Sequence, residues 1–330
     1  MNFINKNLIN YYKSKSRNFE FNYLDIGSSA PLNKYLSELH EIFKIKLYEP
    51  NFNEFKKLDK FKKKWNNLEI FPYAISDNLT KKLNIYNSPN FSSFYSIDNA
   101  YKDFIRKNLI KTSQKKVKCK SLKYVLQNIK KISKYKKKNI SNVLKIDTQG
   151  HNINCLKSAG DKINDFSVIL LENDYFPIYQ KQSLYYDVGK FLHERKFIRV
   201  GNACDLEFSF SKKLLKKNHL YNELEYSSDV IFIKNIFERK TITNTDNFLI
   251  IFFLIIFDYL DLAEFYISKS KLDFKIKKQL KNFSQKKLQS NKNFKIKLIK
   301  KFINKKITLN KFLNQLSTKK EINSIFRTRI

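Results

Sequence analysis

The sequence predicts an α/β fold, a mostly parallel sheet flanked by helices, followed by an all-α C-terminal extension. Three observations predict it. Between Phe19 and about Asn235, short runs rich in aromatic and β-branched residues alternate with helical patterns, the signature of βαβ units. All five glycines (Gly27, Gly150, Gly160, Gly189, Gly201) and all five prolines (Pro31, Pro50, Pro72, Pro89, Pro177) lie no later than Gly201. Beyond Ile236 only helical periodicities recur. The 330 residues therefore divide into a basic N-terminal segment (1–18), a sheet domain (19–236) and a basic helical region (237–330).

Strands are expected at about 21–26, 44–48, 68–75, 141–147, 166–172, 197–200 and 228–233, where apolar runs such as Val143-Leu144 and Phe166-Ser-Val-Ile-Leu-Leu171 are too short for helices. Helices fill the gaps. The clearest is 183–196, where Leu184, Val188, Phe191 and Leu192 recur at i, i+4, i+7 and i+8 with Lys190 and Glu194 between them, a core-packing stripe. From about 82 to 125 runs an irregular insert with a short strand at Lys82–Tyr86, a Ser/Asn/Pro loop at Asn87–Asn99 and a strand near Val117–Lys120. Long loops in compact domains more often carry function than not. In the extension, 248–267 forms one amphipathic stretch, and Leu309, Phe312, Leu313 and Leu316 form a second stripe.

Composition narrows the function classes. Apolar residues make up 42% and aromatics 15%, too rich for a disordered chain. Cys119, Cys155 and Cys204 form no C-x-x-C pair, which argues against a disulfide scaffold or zinc ribbon and suits a reducing compartment. The formal net charge is +35, and residues 237–330 hold 22 Lys and Arg against 7 Asp and Glu. Lys, Asn, Ile, Phe and Tyr are inflated together, as AT-rich coding would do, so a solvated basic surface is the first explanation. An anionic glycan or membrane surface comes second and nucleic acid third. The start shows no secretory signal, and the apolar run Phe248–Phe257 is far short of the roughly 20 residues that span a bilayer. A cytoplasmic protein, peripheral at the inner membrane face at most, is the expectation.

The chemistry is expected at strand ends. Phe21-Asn-Tyr-Leu-Asp25-Ile-Gly27-Ser28 is an apolar strand closing on a carboxylate and a glycine turn, where a backbone can approach a ligand. A dinucleotide fingerprint would need G-x-G-x-x-G, and only its first glycine is present. The second strand ends in Glu49-Pro50, placing a carboxylate where it can accept from both hydroxyls of a ribose. The third ends in Pro72-Tyr-Ala74-Ile-Ser-Asp77, positioned to meet an adenine edge.

These residues resemble the FkbM-type family of S-adenosylmethionine-dependent methyltransferases, a Rossmann-like class I fold. The resemblance runs through YLDIGSS (23–29), YEP (48–50), YAISD (73–77), SSFYSID (92–98), LKIDTQGHNINCLKSA (144–159), LLENDYFPIYQ (170–180), FLHERKF (191–197) and SDVIFIKN (228–235). It covers about 20–235, and 237–330 lies outside it. It implies S-adenosyl-L-methionine as cofactor, with Asp25, Gly27 and Ser28 on its methionine and ribose side, Glu49 on the ribose, Ala74 and Asp77 near the adenine, and Asp147 between cofactor and acceptor. Gln149 and Gly150 would open the next helix, and Glu172 and Asn173 would face the acceptor. Where the family often has Glu-Gly-Ala-Glu, this chain has Gln149-Gly150-His151-Asn152, which makes His151 the substitute general base beside Asp147 and Glu172.

The four histidines show no ligand spacing, so no metal site is expected. The reading is an O-methyltransferase acting on a hydroxyl of a sugar, surface glycan or related metabolite, with an anionic partner for the basic helices. The rivals are an RNA methyltransferase and a non-catalytic glycan- or membrane-associated binding protein that keeps the fold.

Overall fold

The computed structural model describes residues 5–15, 18–32, 36–77, 80–104, 108–135, 139–208, 224–237 and 242–303. The stripe of Leu309, Phe312, Leu313 and Leu316 lies outside them. The strands are β1 (Phe19–Ile26), β2 (Phe43–Tyr48), β3 (Leu68–Phe71), β4 (Ala74–Ile75), β5 (Thr80–Tyr86), β6 (Lys111–Lys120), β7 (Asn139–Ile146), β8 (Phe166–Asp174), β9 (Phe197–Phe208) and β10 (Leu224–Lys234). Helices are α1 (Lys6–Ser14), α2 (Leu36–Leu39), α3 (Phe52–Asp59), α4 (Asn99–Phe104), α5 (Leu122–Tyr135), α6 (Asn152–Lys157), α7 (Tyr185–Glu194), α8 (Asn244–Ile256), α9 (Leu260–Lys269) and α10 (Phe274–Ile303).

Seven strands form the central sheet in the order β3-β2-β1-β7-β8-β10-β9. Those from β3 to β8 are mutually parallel, and β10 runs antiparallel between β8 and β9. The chain order reverses between β1 and β7, so the carboxyl ends of β1 and β7 diverge into crossovers on opposite sides and leave a crevice. The expected strand at 68–75 is two strands. Proline has no N–H to give a ladder, and at Pro72 the chain leaves β3 and re-pairs as β4 in a second sheet, β4-β6-β5, made by the insert.

Alternation along the strands builds two cores. Phe21, Tyr23, Val143, Val168 and Leu170 face one side, Leu24, Ile26, Leu144, Ile169 and Leu171 the other. The second side is covered by α5, α6 and α7, through Leu122, Leu126, Leu156, Val188 and Leu192. The first is covered by α8, in which every residue from Thr245 to Ile256 is buried. A helix apolar all round must have partners all round, and α8 has them: the sheet beneath and α1, α9 and α10 above and beside it. Tyr12 of α1 stacks on Phe248 with ring centroids 4.0 Å apart and donates its hydroxyl to the Phe248 carbonyl at 2.7 Å. The N-terminus of α8 is closed by a capping box, with Asp246 N donating to Thr243 Oγ1 at 3.0 Å and Thr243 N to the Asp246 carboxylate at 3.2 Å. The same carboxylate accepts from Ser141 and Ser167 and pairs with buried Lys234 at 2.9 Å. Among the described residues, no helix is long and apolar enough to cross a membrane.

Candidate functional site

A cleft of about 670 Å³, open solvent included, lies at the carboxyl ends of β1, β2 and β7. Gly27, Glu49 and Asp147 enter it from those three strand ends, Ala74 and Ile75 from β4, and the insert loop Pro89–Phe94 covers it.

Gly27 is demanded by geometry. Its φ is +81°, and a Cβ there would stand 1.9 Å from the carbonyl oxygen of Asp147. The close approach is fixed by Gly27 N donating to Tyr48 O at 3.0 Å and Asp147 N donating to Ile26 O at 2.9 Å, which ties three strand ends together.

Glu49 is 7% exposed, and one carboxylate oxygen accepts from Asn51 N at 2.6 Å. Burial pushes its carboxyl up to about 8, with the nearby Glu54, Asp147 and Asp25 carboxylates adding to the effect, against the lowering by Asn51. A buried carboxylate that opens on a cleft calls for hydroxyl donors from a ligand. Ser92 Oγ, in the roof, is buried without a hydrogen-bond partner among the described residues. Ile75, Leu83 and Phe94 supply apolar surface for a flat ring. This donor set and these walls suit a nucleoside cofactor with paired ribose hydroxyls.

Beside the cleft, Gln149 Nε2 donates to Asp147 Oδ1 at 2.7 Å and to Glu172 Oε2 at 2.9 Å. Lys145 Nζ lies 3.6 Å from Asp147 Oδ2 and 3.7 Å from Asp25 Oδ1. Ser227 Oγ donates to Glu172 Oε1 at 3.4 Å. Among the described residues, no group of three or more His, Cys, Asp or Glu is arranged to hold a metal.

The structure thus brings Gly27, Glu49, Ala74 and Asp147 to the cleft wall, with Glu172 joined to Asp147 through Gln149. Asp25 is buried behind the wall against Lys145, Ser28 turns its hydroxyl to the Asp25 carbonyl, and Asp77 points away to Ser76 and Lys81. His151, expected as a base, does not line the cleft. Its ring is 1% exposed, with Nε2 3.0 Å from Ser76 Oγ and Nδ1 3.2 Å from the Tyr95 hydroxyl, and Phe94 stands edge-on to it. Burial, aided by Lys81, pulls its pKa down to about 4. It holds the insert onto α6 instead.

That burial has a measurable consequence. The unfolded histidine takes up its proton near 6.5 and the folded one only near 4, so stability is full above 6.5 and is lost as pH falls between them. The wild type is expected to lose up to about 1.4 kcal/mol per pH unit in that window from this residue, and His151→Asn to lose correspondingly less. Urea unfolding at pH 7 and pH 5 reads the difference.

Sequence reasoning missed the Gln149 bridge and singled out the roof only as a loop worth attention. Ser93 Oγ donates to the Gln149 carbonyl at 2.6 Å, and the buried Tyr179 hydroxyl donates to Gln149 Oε1 at 2.9 Å and is shared with Phe91 O at 3.2 Å. No spacing rule links residues 30 or 56 positions apart. The one local signal was the glycine following Gln149, since both sit at positive φ, +51° and +87°.

The doubly wound sheet with its reversed penultimate strand, and the cleft at the strand ends, form a Rossmann-like arrangement with its ligand crevice at the topological switch point. Residues 38–199, just under half of the sequence, match the model of the methyltransferase FkbM domain. Comparison with curated proteins returns no match. Similar solved structures include the 23S rRNA methyltransferase ErmE, at 9% identity and TM-score 0.29 over 76% of this chain and 77% of that one. An uncharacterised protein from Listeria monocytogenes serotype 4b aligns at 8% identity and TM-score 0.33 over 86% and 99%. TrmK from M. capricolum, in complex with S-adenosylhomocysteine, aligns at 11% identity and TM-score 0.28 over 88% and 98%. Similarities of this size fix no substrate.

Proposed function

We propose that the protein transfers a methyl group to a hydroxyl of a sugar, surface glycan or related metabolite. The observation that carries this reading is the charge of the cleft: among its described lining residues Glu49, Glu54 and Asp147 are carboxylates and none is Lys, Arg or His. An acidic cleft disfavours a phosphodiester backbone and suits a neutral polyol. S-adenosyl-L-methionine, when bound, would supply a methyl group on a sulfonium and leave as the neutral thioether S-adenosylhomocysteine, and a hydroxyl that accepts the methyl must give up one proton. Asp147, at the cleft wall and tied to Glu172, is the acceptor of that proton in this reading. Glu49 would hold the cofactor's ribose in this reading. The lysines of α10, 11 between Phe274 and Ile303 with no acidic residue, offer a surface for the anionic partner.

Incubation with methyl-labelled cofactor and an acceptor panel tests the reading. Label is expected in a neutral sugar, as an ether that survives mild alkali, and label in RNA alone would overturn it. The cofactor half is tested by calorimetry with S-adenosylhomocysteine. Glu49→Gln is expected to cost about 1 to 3 kcal/mol of affinity, or roughly 5- to 150-fold. In the wild type affinity should climb as pH rises towards about 8, because ligand hydroxyls donate to the ionised form and binding expels the proton that burial retains. The stability of the apo protein is expected to follow the opposite trend. A carboxyl raised on folding stabilises fully below its ordinary value near 4.5, and that contribution is lost as pH rises through about 8, a loss that Glu49→Gln escapes.

A further inference from the structure

We propose that the side-chain amide of Gln149 takes the place of a cation between Asp147 and Glu172 and is the positioning residue that sets this carboxylate pair for the acceptor. The inference rests on the reading that the pair faces the acceptor, and it goes beyond it in assigning what holds the pair together.

Asp147 follows β7 and Glu172 lies near the end of β8, adjacent parallel strands, so two carboxylates of like charge stand side by side. One NH2 group serves both, its two hydrogens directed to Asp147 Oδ1 at 2.7 Å and Glu172 Oε2 at 2.9 Å. That is the part a bridging metal ion or an ammonium would play, performed here by a neutral donor. The amide cannot serve reversed. Its Oε1 receives the Tyr179 hydroxyl at 2.9 Å, and a flip would turn that oxygen against two carboxylates.

The backbone is held as firmly as the side chain. Gln149 sits at φ +51°, in the left-handed region, and its carbonyl accepts from Ser93 Oγ of the roof at 2.6 Å. Asn152, in the first turn of α6, donates to the carbonyl of Glu172. The bridge is thus braced from the roof, from Tyr179 and from α6. Among alternatives of similar reach, glutamate would place a third carboxylate where the donor is needed, leucine would supply no donor, and lysine would restore a cation.

The test uses the full chain, thermal unfolding and Mn²⁺ as the probe, and needs no acceptor. Gln149→Leu is expected to lower Tm by at least about 4 °C, while Gln149→Lys stays within about 2 °C of the wild type. Gln149→Glu should be the least stable without metal. With 1 mM Mn²⁺ its Tm should rise by at least about 4 °C, a rise absent in the wild type and in the Gln149→Glu/Asp147→Asn double variant. Equal Mn²⁺ shifts in wild type and Gln149→Glu, or Gln149→Glu as stable as wild type without metal, overturn the proposal. Should Gln149→Glu fail to fold with or without Mn²⁺, the other pair decides: Lys retaining stability where Leu loses it supports the bridge, and equal loss in both overturns it. Failure to label any hydroxyl while these arms hold would remove the acceptor assignment and leave the bridge standing.

Discussion

Gly27→Ala is expected to lower the unfolding free energy by about 3 kcal/mol or more and to abolish S-adenosylhomocysteine binding at ligand concentrations that saturate the wild type. The added methyl would lie 1.9 Å from the Asp147 carbonyl oxygen and 2.7 Å from its carbon, both backbone atoms that no rotamer change can move. Relief requires shifting the ends of β1 and β7 apart, which strains the Asp147 N to Ile26 O bond and moves Asp147 itself. Gly160→Ala is the control, because Gly160 also has positive φ, +53°, but a Cβ there meets nothing within 4 Å. It should cost only the roughly 1 kcal/mol of the backbone preference. Denaturant unfolding and calorimetry of the two variants compare clash with conformation, and equal losses would show that the strand-end contact is not the cause.

A comparable loss, about 3 to 5 kcal/mol, is expected for Asp246→Ala, far from the cleft. The substitution takes a carboxylate away from the buried Lys234 ammonium, 8% exposed. It also removes the acceptor of Ser141 and Ser167 and half of the cap on α8. Adding Lys234→Met should recover most of the loss, since an apolar side chain tolerates the buried site better than a charge that has lost its carboxylate there. Burial alone would raise the Asp246 carboxyl, but Lys234 and the hydrogen bonds from Ser167 and Ser141 outweigh it and hold the group below the ordinary 3.8. A carboxyl lowered on folding stabilises above its ordinary value, and that contribution disappears as pH falls through the lowered one. Acid titration of Tm should therefore be shallower in the double variant than in the wild type below about pH 4.

The parallel strands are legible in the sequence because both faces of each are covered, which leaves unbroken apolar runs such as Val168-Ile-Leu-Leu171 bounded by polar ends. Glu49 is legible for the same reason: a strand that ends in a carboxylate places it in the crevice. The hairpin of β9 and β10 is longer than the apolar core of either strand, since its outer residues pair through backbone groups that leave no mark on side-chain pattern. Residues 1–18 read as a basic segment, yet Leu8, Ile9 and Tyr12 of α1 are buried. Three apolar positions among lysines and asparagines carry little signal without the α8 surface they meet. His151 shows the limit most plainly. A histidine opening a helix beside a strand end can turn to the ligand or to the protein, and the matter is decided by Ser76, just after β4, and by Tyr95, from an insert whose fold the spacing does not reveal.

The burial of α8 also bears on the order in which the chain can be made. All strands of the central sheet precede Lys234, yet one face of that sheet is sealed by residues up to Ile256. When β10 has just left the ribosome, the α8 residues that complete the cover over Val168 and Ile231 have still to emerge, some twenty further along the chain. The matched catalytic-domain region, 38–199, ends well before that point. Heredity has therefore placed the seal of the fold outside the part that carries the chemistry, and any chain cut after β10 would carry a complete crevice on an unfinished core.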